Sequence, residues 1–407
     1  MNPIPGSYLR TLTPPVLAGE GEQVSAATLS YFGTNVARRL GLTPAALRAR
    51  LGDAPFVTAL MDTPLGCTAI FTLPLTYRDM VRDDATTVHY AQAAIAQARA
   101  MGAGHVSLAG LLASATGYGR LLDAPDGTLT TGHATTVAAI VRTVEHVLDV
   151  SARHWAHEAV TVLGLGSIGQ ATVTATLATL GAPRRLVLSD LPGKRAAVEQ
   201  FADRLRQERP GLDVAVADAT APGGHGHRAG LVIGCTSTPN ALDVDRLAPG
   251  CIIVDDSVPH CFDVGRAYAR VDAAADLLLA NGGLLALAEP FPVRSYAPPL
   301  LHELGWNAGV HHDRTITSCI LSPLLMAAEP ELPATLGMGV PVPTVVANLA
   351  VLDRLAVTAP PIRCAGRAPD AAYLARFAER FGTAPAADPP ARAPGAVTAA
   401  GPAAPNH

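Results

Sequence analysis

The sequence predicts an α/β protein in which a doubly wound parallel sheet follows a second, smaller α/β domain. Short apolar runs alternate with helical segments along most of the 407 residues, and this alternation is typical of sheets flanked by helices. From Ala159 on, the strand runs are continuously apolar, which indicates a parallel sheet covered on both faces. A glycine-rich turn joins the first of these runs, AVTVL, to an apolar helical segment.

Composition narrows the possible functions. The net charge is −4 and the basic residues are scattered, which argues against a nucleic-acid partner. No apolar run approaches the roughly 20 residues of a membrane span, and no secretory signal is evident. Six cysteines without a CxxC pair are typical of free thiols in a reducing cytosol. We therefore expect a cytoplasmic protein without stable membrane insertion, of unspecified oligomeric state.

The N-terminal half alternates helices and strands. Residues up to about Gly33 show no clear pattern, whereas Asn35–Leu51 is helical and Cys67–Leu75 has the character of a strand. TTVHYAQAAIAQARAMGA predicts a helix that ends at Gly102 and Gly104. HVSLAGLLASATG predicts a strand that runs into a loop, and LTTGHATTVAAIVRTVEHVLD predicts a turn and a long helix.

The C-terminal half has a more regular pattern. Its candidate strands are AVTVL, RLVLS, DVAVA, LVIGC, CIIVD and LLLAN. Helices are predicted over Thr315–Ala328 and Thr344–Leu355, and DAAYLARFAERFG predicts a last short helix. From Thr383 the chain is rich in Ala and Pro, a composition that favours disorder.

The glycine-rich turn is a GxGxxG motif made by Gly164, Gly166 and Gly169. Between a strand and a helix, with an acid about 20 residues further on, this motif is typical of a dinucleotide-binding Rossmann domain. The first glycine allows the tight turn, the second lets a pyrophosphate approach, and the third lets the helix pack on the strand. Ser167 and Ile168 begin the helix whose N–H groups would bind the phosphates.

The end of the second strand, Ser189 and Asp190, bears on the choice between NADH and NADPH. A carboxylate there hydrogen-bonds the ribose 2′-OH of NADH. Toward the 2′-phosphate of NADPH it is a like charge, at a cost on the order of 4 kcal/mol before screening. The sequence therefore favours NADH, although Lys194 and Arg195 are near enough in sequence to reduce that repulsion.

Polar residues follow the fourth and fifth strands, in GCTSTPN and DDSVPH. Loops at these strand ends face the ligand crevice of a doubly wound sheet. We therefore predict that Cys235, Thr236, Ser237 and Thr238 line the cofactor. The alternative is that they are polar loop residues that hydrogen-bond their own backbone.

Two cysteines are candidate nucleophiles. Cys319 lies in the first part of an apolar helix, where the helix N-terminus lowers a thiol pKa, but its spacing also fits a small core residue. Pro323, four residues on, has no N–H to donate to the Cys319 carbonyl, which is left free. Cys261 follows His260, which could act as its base, although adjacent side chains usually point apart.

Histidines offer further candidates. His133 lies in a glycine-containing turn that opens a long helix, so it is either a catalytic residue or an ordinary helix-capping or surface histidine. His311 and His312 are adjacent in a loop, without the ligand spacing of a metal site. No metal is predicted.

From roughly Arg39 to Leu355 the chain resembles the long-chain acyl-(acyl-carrier-protein) reductases, which make fatty aldehydes from acyl thioesters. The most specific element is a TTG sequence followed by a long helix just before the glycine-rich turn. Order and spacing agree for AQARAMGAGHVSLAGL, LTTGHATTVAAIVRTVE, the glycine-rich turn, STPNALDVDRLAPGCIIVDDSVP, LLLANGGLLALAE and TSCILSPLLMAAE.

The resemblance implies covalent catalysis. A cysteine at the start of the penultimate helical segment attacks the thioester of an acyl carrier protein or acyl-CoA, a nicotinamide donates hydride, and an aldehyde leaves. By motif position that cysteine is Cys319, held beside the hydride donor. Backbone N–H groups or hydroxyls must stabilise the oxyanion, and the candidate side chains are those of Ser114, Tyr118, Thr131 and His133.

The chain departs from the family at two places. His133 stands where the family usually has Asn, and Thr135 stands where it has His. The family generally uses NADPH and has a basic residue after the second strand, where this chain has Ser189-Asp190-Leu191. These departures leave the cofactor and the acyl group open.

Two other functions are compatible with the same turn. One is a carbonyl or imine dehydrogenase of the shikimate-dehydrogenase or imine-reductase kind, without a covalent intermediate. It would use a Lys–Asp pair in the N-terminal half, where lysine is all but absent. The other is a nucleotide-sensing or scaffold protein without catalysis.

These patterns divide the chain into four parts. We predict an N-terminal α/β substrate-binding and acyl-binding domain over residues 1–150 and a Rossmann domain over residues 151–295. A helical segment with the candidate cysteine covers residues 296–382, and a disordered tail covers residues 383–407.

Overall fold

The computed structural model describes residues 23–32, 43, 45–46, 54–219, 228–296 and 314–383. The predicted helix over 35–51 lies outside these residues except at three positions. The His311–His312 pair and the predicted tail beyond residue 383 also lie outside them.

Helices and strands are numbered in chain order. The strands are β1 (Ala26–Phe32), β2 (Phe56–Thr63), β3 (Gly66–Thr76), β4 (His105–Leu108), β5 (Leu129–Thr130), β6 (Ala159–Leu163), β7 (Arg185–Asp190), β8 (Val214–Asp218), β9 (Leu231–Gly234), β10 (Cys251–Asp255), β11 (Leu277–Asn281), β12 (Leu284–Ala286), β13 (Val293–Ser295) and β14 (Thr315–Thr317). The helices are α1 (Tyr77–Arg82), α2 (Asp84–Ala100), α3 (Leu112–Ala115), α4 (His133–Val150), α5 (Ser167–Thr179), α6 (Arg195–Glu208), α7 (Val264–Ala274), α8 (Ser318–Ala328), α9 (Val342–Arg354) and α10 (Ala371–Phe381).

The predicted doubly wound parallel sheet is confirmed. Its six strands lie in the order β11-β10-β9-β6-β7-β8, and all neighbours are parallel. This is the strand order of a dinucleotide-binding Rossmann fold. Ile252 and Val254 of β10 pack in one apolar cluster with α4, α5 and α6, whereas Cys251 and Ile253 pack in another with α7. Both faces are therefore covered, which explains the continuous apolar runs.

The second sheet is mixed and has the order β13-β2-β3-β1-β4-β5. β1 is parallel to β3 and β4, and β2 is antiparallel to β3. The antiparallel edge strand β13 comes from a later part of the chain. Alanines of α2, among them Ala91, Ala94 and Ala98, are buried against this sheet. The domain boundaries drawn from the sequence stay a prediction.

Helices α4 and α8 join the two sheets. Val137 and Val141 of α4 pack with α8 and with residues of the mixed sheet, whereas Ile140 and Val144 pack with the Rossmann sheet. α8 contacts β1, β4 and α4. Both helices begin near the carboxyl ends of Rossmann strands, where ligands bind in sheets of this kind.

Two predicted helix starts are corrected. The helix expected over Thr315–Ala328 begins at Ser318, because Thr315–Thr317 forms strand β14, antiparallel to β12. β-Branched threonine and isoleucine favour that extended backbone. The helix expected from Thr344 begins at Val342, directly after Pro341.

Candidate active site

The glycine-rich turn follows β6. Gly164 has φ +93°, a region that favours glycine, and a Cβ there would lie 2.6 Å from the Cys235 carbonyl oxygen. A Cβ at Gly169 would lie 1.8 Å from the Gly164 carbonyl oxygen, so α5 packs directly on the turn. At Gly166, by contrast, nothing lies within 4 Å of a Cβ. The turn is therefore open at the glycine where a pyrophosphate would approach.

Helix α5 begins directly after this turn. Its N-cap is Gly166, which has no side chain to cap the first N–H groups. Such groups lack intrahelical partners and favour an anion. Ser167 is buried, and Ile168 is half-buried against the two largest apolar clusters. The start of α5 thus offers backbone donors to a phosphate.

The carboxylate of Asp190, at the end of β7, is buried under the turn. It accepts hydrogen bonds from the N–H groups of Leu165 at 2.8 Å and Leu191 at 2.7 Å. Lys194 Nζ lies 3.6 Å from Asp190 Oδ1. Ser189 is also buried, and its carbonyl oxygen accepts the N–H of the first glycine of the turn at 2.8 Å. Asp190 therefore fixes the turn, and its bond to a ribose hydroxyl stays a prediction.

The loop after β9 contains the four residues predicted to line the cofactor. The Thr236 N–H donates to the Ser257 hydroxyl, and the Thr238 N–H donates to the Thr236 hydroxyl, each at 3.1 Å. Ser237 is exposed. Burial raises the pKa of the Cys235 thiol well above its ordinary value. The Thr236 hydroxyl thus stabilises its own loop, and cofactor contact stays a prediction for all four residues.

The pair formed by His260 and Cys261 does not have the geometry of a base and its nucleophile. Cys261 is fully buried, and burial raises its pKa well above the ordinary value. The His260 Nδ1 atom lies 2.8 Å from Asp255 Oδ2, and the same oxygen accepts the Cys261 N–H at 3.3 Å. Asp255 therefore holds both residues, and the imidazole pairs with a carboxylate rather than with the thiol.

Cys319 is the second residue of α8, where the helix packs on the start of α4. A Cβ at Gly132, the N-cap of α4, would lie 3.0 Å from the Cα and 3.2 Å from the Cβ of Cys319. The Ser107 hydroxyl on β4 donates to the Cys319 carbonyl oxygen at 2.7 Å. The carbonyl that Pro323 leaves without a helical donor is therefore satisfied by the mixed sheet.

The thiol of Cys319 lies half-buried among backbone donors. Burial raises its pKa to about 12, and the charge of Asp256 adds to this rise. The N–H groups of Gly110, Ile320 and Cys319 itself hydrogen-bond the sulfur and act in the opposite direction. The expected lowering of the thiol pKa is therefore wrong for this form of the protein, because burial outweighs the helix N-terminus.

His133 joins the start of α4 to the start of α5. Its Nδ1 atom lies 2.9 Å from the Ser167 hydroxyl oxygen, and its ring meets Tyr118 edge-on with centroids 6.0 Å apart. Burial lowers the pKa of His133 to about 4, so the ring is neutral at neutral pH. Thr135, which stands where the resembling family has histidine, donates to Asn348 Oδ1 at 2.8 Å inside the core.

Two of the predicted oxyanion stabilisers hydrogen-bond within the protein. Ser114 is exposed, and its hydroxyl donates to the Leu111 carbonyl at 2.9 Å. Thr131 is buried, and its hydroxyl lies 3.3 Å from that of Thr335. The backbone N–H of Gly110, which faces the Cys319 sulfur, was not predicted, because a glycine in a loop has no sequence signal for this role.

Tyr31 of β1 contacts the same loop. Its hydroxyl accepts the Leu111 N–H at 3.2 Å, and a Cβ at Gly110 would lie 3.0 Å from that oxygen. Burial raises the pKa of Tyr31, and the charge of Cys319 contributes to the rise. Tyr31 is therefore a second acidic group near the thiol.

Asp256, directly after β10, is a further group that the sequence did not single out. Its Oδ1 atom would lie 2.0 Å from a Cβ at Gly283, and the same Cβ would be 3.8 Å from the Ser318 hydroxyl. Ser318 precedes Cys319, and its N–H donates to the Gly283 carbonyl at 2.9 Å. Its hydroxyl lies 2.9 Å from that of Thr136. The structure thus brings α4, α8 and the end of β10 together around one thiol.

In the part of the chain that the structure describes, no group of three or more His, Cys, Asp or Glu side chains could hold a metal ion. Within the same residues, no helix combines the length and apolar character that crossing a membrane requires.

No protein-family model matches the sequence, and a search of curated proteins found no match. Among solved structures, an L-tryptophan dehydrogenase from Nostoc punctiforme is 12% identical, with 89% of this chain and 88% of that chain covered and a TM-score of 0.33. The dehydroquinate dehydratase and shikimate dehydrogenase of S. pombe AroM is 12% identical, with 84% and 56% covered and a TM-score of 0.32.

A short chain alcohol dehydrogenase from E. coli CFT073, complexed with NADH, is 15% identical, with a TM-score of 0.26. The match covers 43% of this chain and only 45% of that dehydrogenase. All three similarities are too weak to assign a fold or an activity. The Rossmann assignment follows instead from the strand order of this chain.

Proposed function

We propose that this chain is an NAD(P)H-dependent reductase that converts an acyl thioester, carried by an acyl carrier protein or coenzyme A, to an aldehyde through an acyl-enzyme on Cys319. The observation that carries the proposal is the position of the thiol. Cys319 packs on Gly132, and the next residue, His133, hydrogen-bonds the first residue of the helix that follows the glycine-rich turn.

The residues that would hold the cofactor are the glycine-rich turn, the first N–H groups of α5 and the region of Asp190. They fit a dinucleotide because the turn is open at Gly166 and the helix start has no side-chain cap. A nicotinamide bound there supplies hydride to the acyl carbon. Both NADH and NADPH are kept as cofactors of the proposal.

Thioester exchange fits a thiol in these surroundings. The Cys319 sulfur attacks the acyl carbon, the bond to the carrier sulfur breaks, and the thiol proton goes to the departing carrier thiolate. With a pKa near 12, the thiol keeps its proton until the thioester arrives. The N–H groups of Gly110 and Ile320, which face the sulfur, are suited to stabilising negative charge during this exchange.

The second candidate is a carbonyl or imine dehydrogenase without a covalent intermediate. The raised pKa of Cys319 favours it, because a neutral thiol in a buried position is also typical of a structural cysteine. The two functions differ in whether an acyl group is ever attached to the protein.

Intact-protein mass spectrometry tests the proposal. The full chain is mixed with a panel of acyl-CoA and acyl-carrier thioesters without cofactor, as wild type, Cys319→Ala and, as a matched control, Cys67→Ala at another half-buried cysteine. An acyl mass on wild type and Cys67→Ala that is missing from Cys319→Ala supports the acyl-enzyme. If no thioester labels the wild type, the non-covalent dehydrogenase is the better function.

A further inference from the structure

We propose that Asp256 is the acid that protonates the substrate oxygen when the acyl group on Cys319 is reduced. The inference rests on the proposed function, and it identifies the proton donor of that reaction.

The carboxyl group of Asp256 has a fixed position beside the start of α8. The N–H of Asp256 donates to the Gly234 carbonyl at 2.8 Å, which fixes the residue just beyond β10. Its Oδ1 atom rests on Gly283, at the place where any larger residue would put its Cβ, and next to Ser318. Ser318 directly precedes Cys319 in the chain. The carboxyl group therefore lies at the crevice, between the Rossmann sheet and the start of α8.

The two adjacent acids, Asp255 and Asp256, differ in their hydrogen-bond partners. Asp255 accepts hydrogen bonds from the Ser257 N–H at 3.2 Å, the Cys261 N–H at 3.3 Å and the His260 ring at 2.8 Å. Among the described residues, no group donates a hydrogen bond to the Asp256 carboxyl. Asp256 is half-buried, and a carboxylate partly removed from water without donors is unfavourable, whereas the protonated form has an O–H to donate. Asp255 thus has donors for its carboxylate oxygens, whereas the Asp256 carboxyl is free to donate its own proton.

The electrostatic surroundings agree with this contrast. Burial, and then the charge of Asp255, raise the pKa of Asp256 well above its ordinary value. The titratable groups that interact with it are Asp255 on β10, Cys235 after β9 and Cys319 on α8. None of the three carries a positive charge in either protonation state, so none of them stabilises an Asp256 carboxylate. No cation within the described ranges opposes the rise.

The proton is needed at one step. Hydride addition to the acyl carbon moves the carbonyl π electrons to oxygen, and that oxygen takes the proton of Asp256, which leaves a carboxylate and a hemithioacetal on Cys319. Collapse then returns the hydroxyl proton to Asp256, and the electrons of the C–S bond go to the Cys319 sulfur. The aldehyde leaves, Asp256 is again protonated, and one proton from solvent converts the Cys319 thiolate back to the thiol. The reductant is the NAD(P)H of the proposed function.

The test separates the two half-reactions. Wild type, Asp256→Asn, Asp256→Glu and Tyr31→Phe are acylated with the best thioester of the panel, and NADH or NADPH is then added in a single turnover followed by intact mass. Asp126→Asn, at an exposed loop carboxylate, is the matched control. Thermal unfolding checks that each variant is folded.

We expect every variant to acquire the acyl group. Asp256→Asn should then lose it at least about 100-fold more slowly, in line with the usual contribution of general acid catalysis, and Asp256→Glu should recover part of the rate. The wild-type rate should fall as pH rises through the raised pKa of Asp256, and this fall should be missing from Asp256→Asn.

Two results would overturn the assignment. One is discharge by Asp256→Asn at the wild-type rate and with the wild-type pH profile, and the other is a loss confined to Tyr31→Phe, which would make the tyrosine the acid. Failure of the wild type to acylate at all is a different result, because it removes the proposed function and this inference with it.

Discussion

The Nδ1 atom of His133 and the hydroxyl oxygen of Ser167 are 2.9 Å apart, which joins the first residues of α4 and α5. One turn further along α4, the Thr136 hydroxyl lies 2.9 Å from that of Ser318, the first residue of α8. The first turn of α4 therefore hydrogen-bonds both the helix that follows the glycine-rich turn and the helix of the candidate nucleophile. A change in this turn should affect both functions.

The burial of His133 predicts a pH dependence of stability. Its pKa of about 4 in the folded chain lies below the ordinary 6.5, so between these values the unfolded chain binds more protons. The stability it contributes is present above pH 6.5 and is lost as pH falls toward 4. At about 1.36 kcal/mol per pKa unit, the loss is on the order of 3 kcal/mol.

His133→Asn keeps a polar group near the Nδ1 position and removes the titration. We expect its melting temperature to fall less than that of wild type between pH 6.5 and 4. His89→Asn, at an exposed position of α2, serves as the control and should follow wild type. Parallel curves for wild type and His133→Asn would contradict the prediction.

Substitution of Gly132 by alanine should give a folded protein in which the nucleophile Cys319 is displaced. It has φ +71°, and a Cβ there would lie 3.0 Å from the Cys319 Cα. Gly127 has φ +76° with nothing within 4 Å of a Cβ. Alanine at either site destabilises the fold by about 1–2 kcal/mol, because the backbone there is left-handed. Only Gly132→Ala should also displace Cys319.

Acylation of the protein by thioester, measured by intact mass, should therefore be lost or strongly slowed in Gly132→Ala and kept in Gly127→Ala. Thermal unfolding should show a loss of stability in both variants. Equal acylation rates in the two variants would show that the contact between Gly132 and Cys319 does not position the thiol.

The Rossmann half was predictable because each of its signals is local. Buried parallel strands produce continuous apolar runs, and Gly164 and Gly169 are required by one turn. The predicted strands agree with the observed ones to within one residue. By contrast, β1 and β2 had no strand prediction, because Thr28 and Thr58 interrupt their apolar pattern. Both threonines are buried, since hydroxyls on neighbouring strands satisfy them.

The candidate site was predictable only in part. Cys319 was named from motif position and His133 from its place in a glycine-containing turn, whereas the roles of Ser107, Gly110 and Asp256 depend on contacts between distant parts of the chain. Ser107 and Cys319, for example, are 212 residues apart in sequence. The pKa of Cys319 also could not be read from sequence, because it depends on how deeply the packing of α8 on the mixed sheet buries the sulfur.

Gly166 predicts a variant that folds normally and binds cofactor poorly. Nothing in the protein lies within 4 Å of a Cβ there, and its φ of −75° is open to alanine. Gly166→Ala should keep the wild-type melting temperature and bind NADH and NADPH at least about tenfold more weakly, a loss of about 1.4 kcal/mol. Gly339→Ala, another glycine with open space around it, is the control.

Gly169→Ala should behave in the opposite way. Its Cβ would lie 1.8 Å from the Gly164 carbonyl oxygen, so the helix must move and the free protein should be destabilised. Calorimetric titration and thermal unfolding of the three variants distinguish these effects. Normal cofactor affinity in a folded Gly166→Ala would show that the pyrophosphate does not approach this turn.

Lys194 and Arg195, the basic residues after β7, lead to a prediction about how strongly the chain binds the 2′-phosphate of NADPH. The carboxylate of Asp190 is 4% exposed and already accepts two backbone N–H groups, whereas Lys194 and Arg195 are 58% and 60% exposed. A 2′-phosphate would therefore meet exposed cations more readily than the carboxylate. Removing both cations, in Lys194→Ala/Arg195→Ala, should weaken NADPH binding about tenfold and leave NADH binding nearly unchanged.

Asp190→Asn provides the complementary measurement. If the carboxylate mainly holds the turn, the variant should weaken both cofactors, because the Leu165 and Leu191 N–H groups lose a charged acceptor. If the carboxylate instead binds the ribose 2′-OH, as the sequence suggests, the variant should lose NADH and gain NADPH. Titration of both cofactors, with Arg204→Ala at an exposed position of α6 as the control, separates the two roles, because only the second changes the ratio of the affinities.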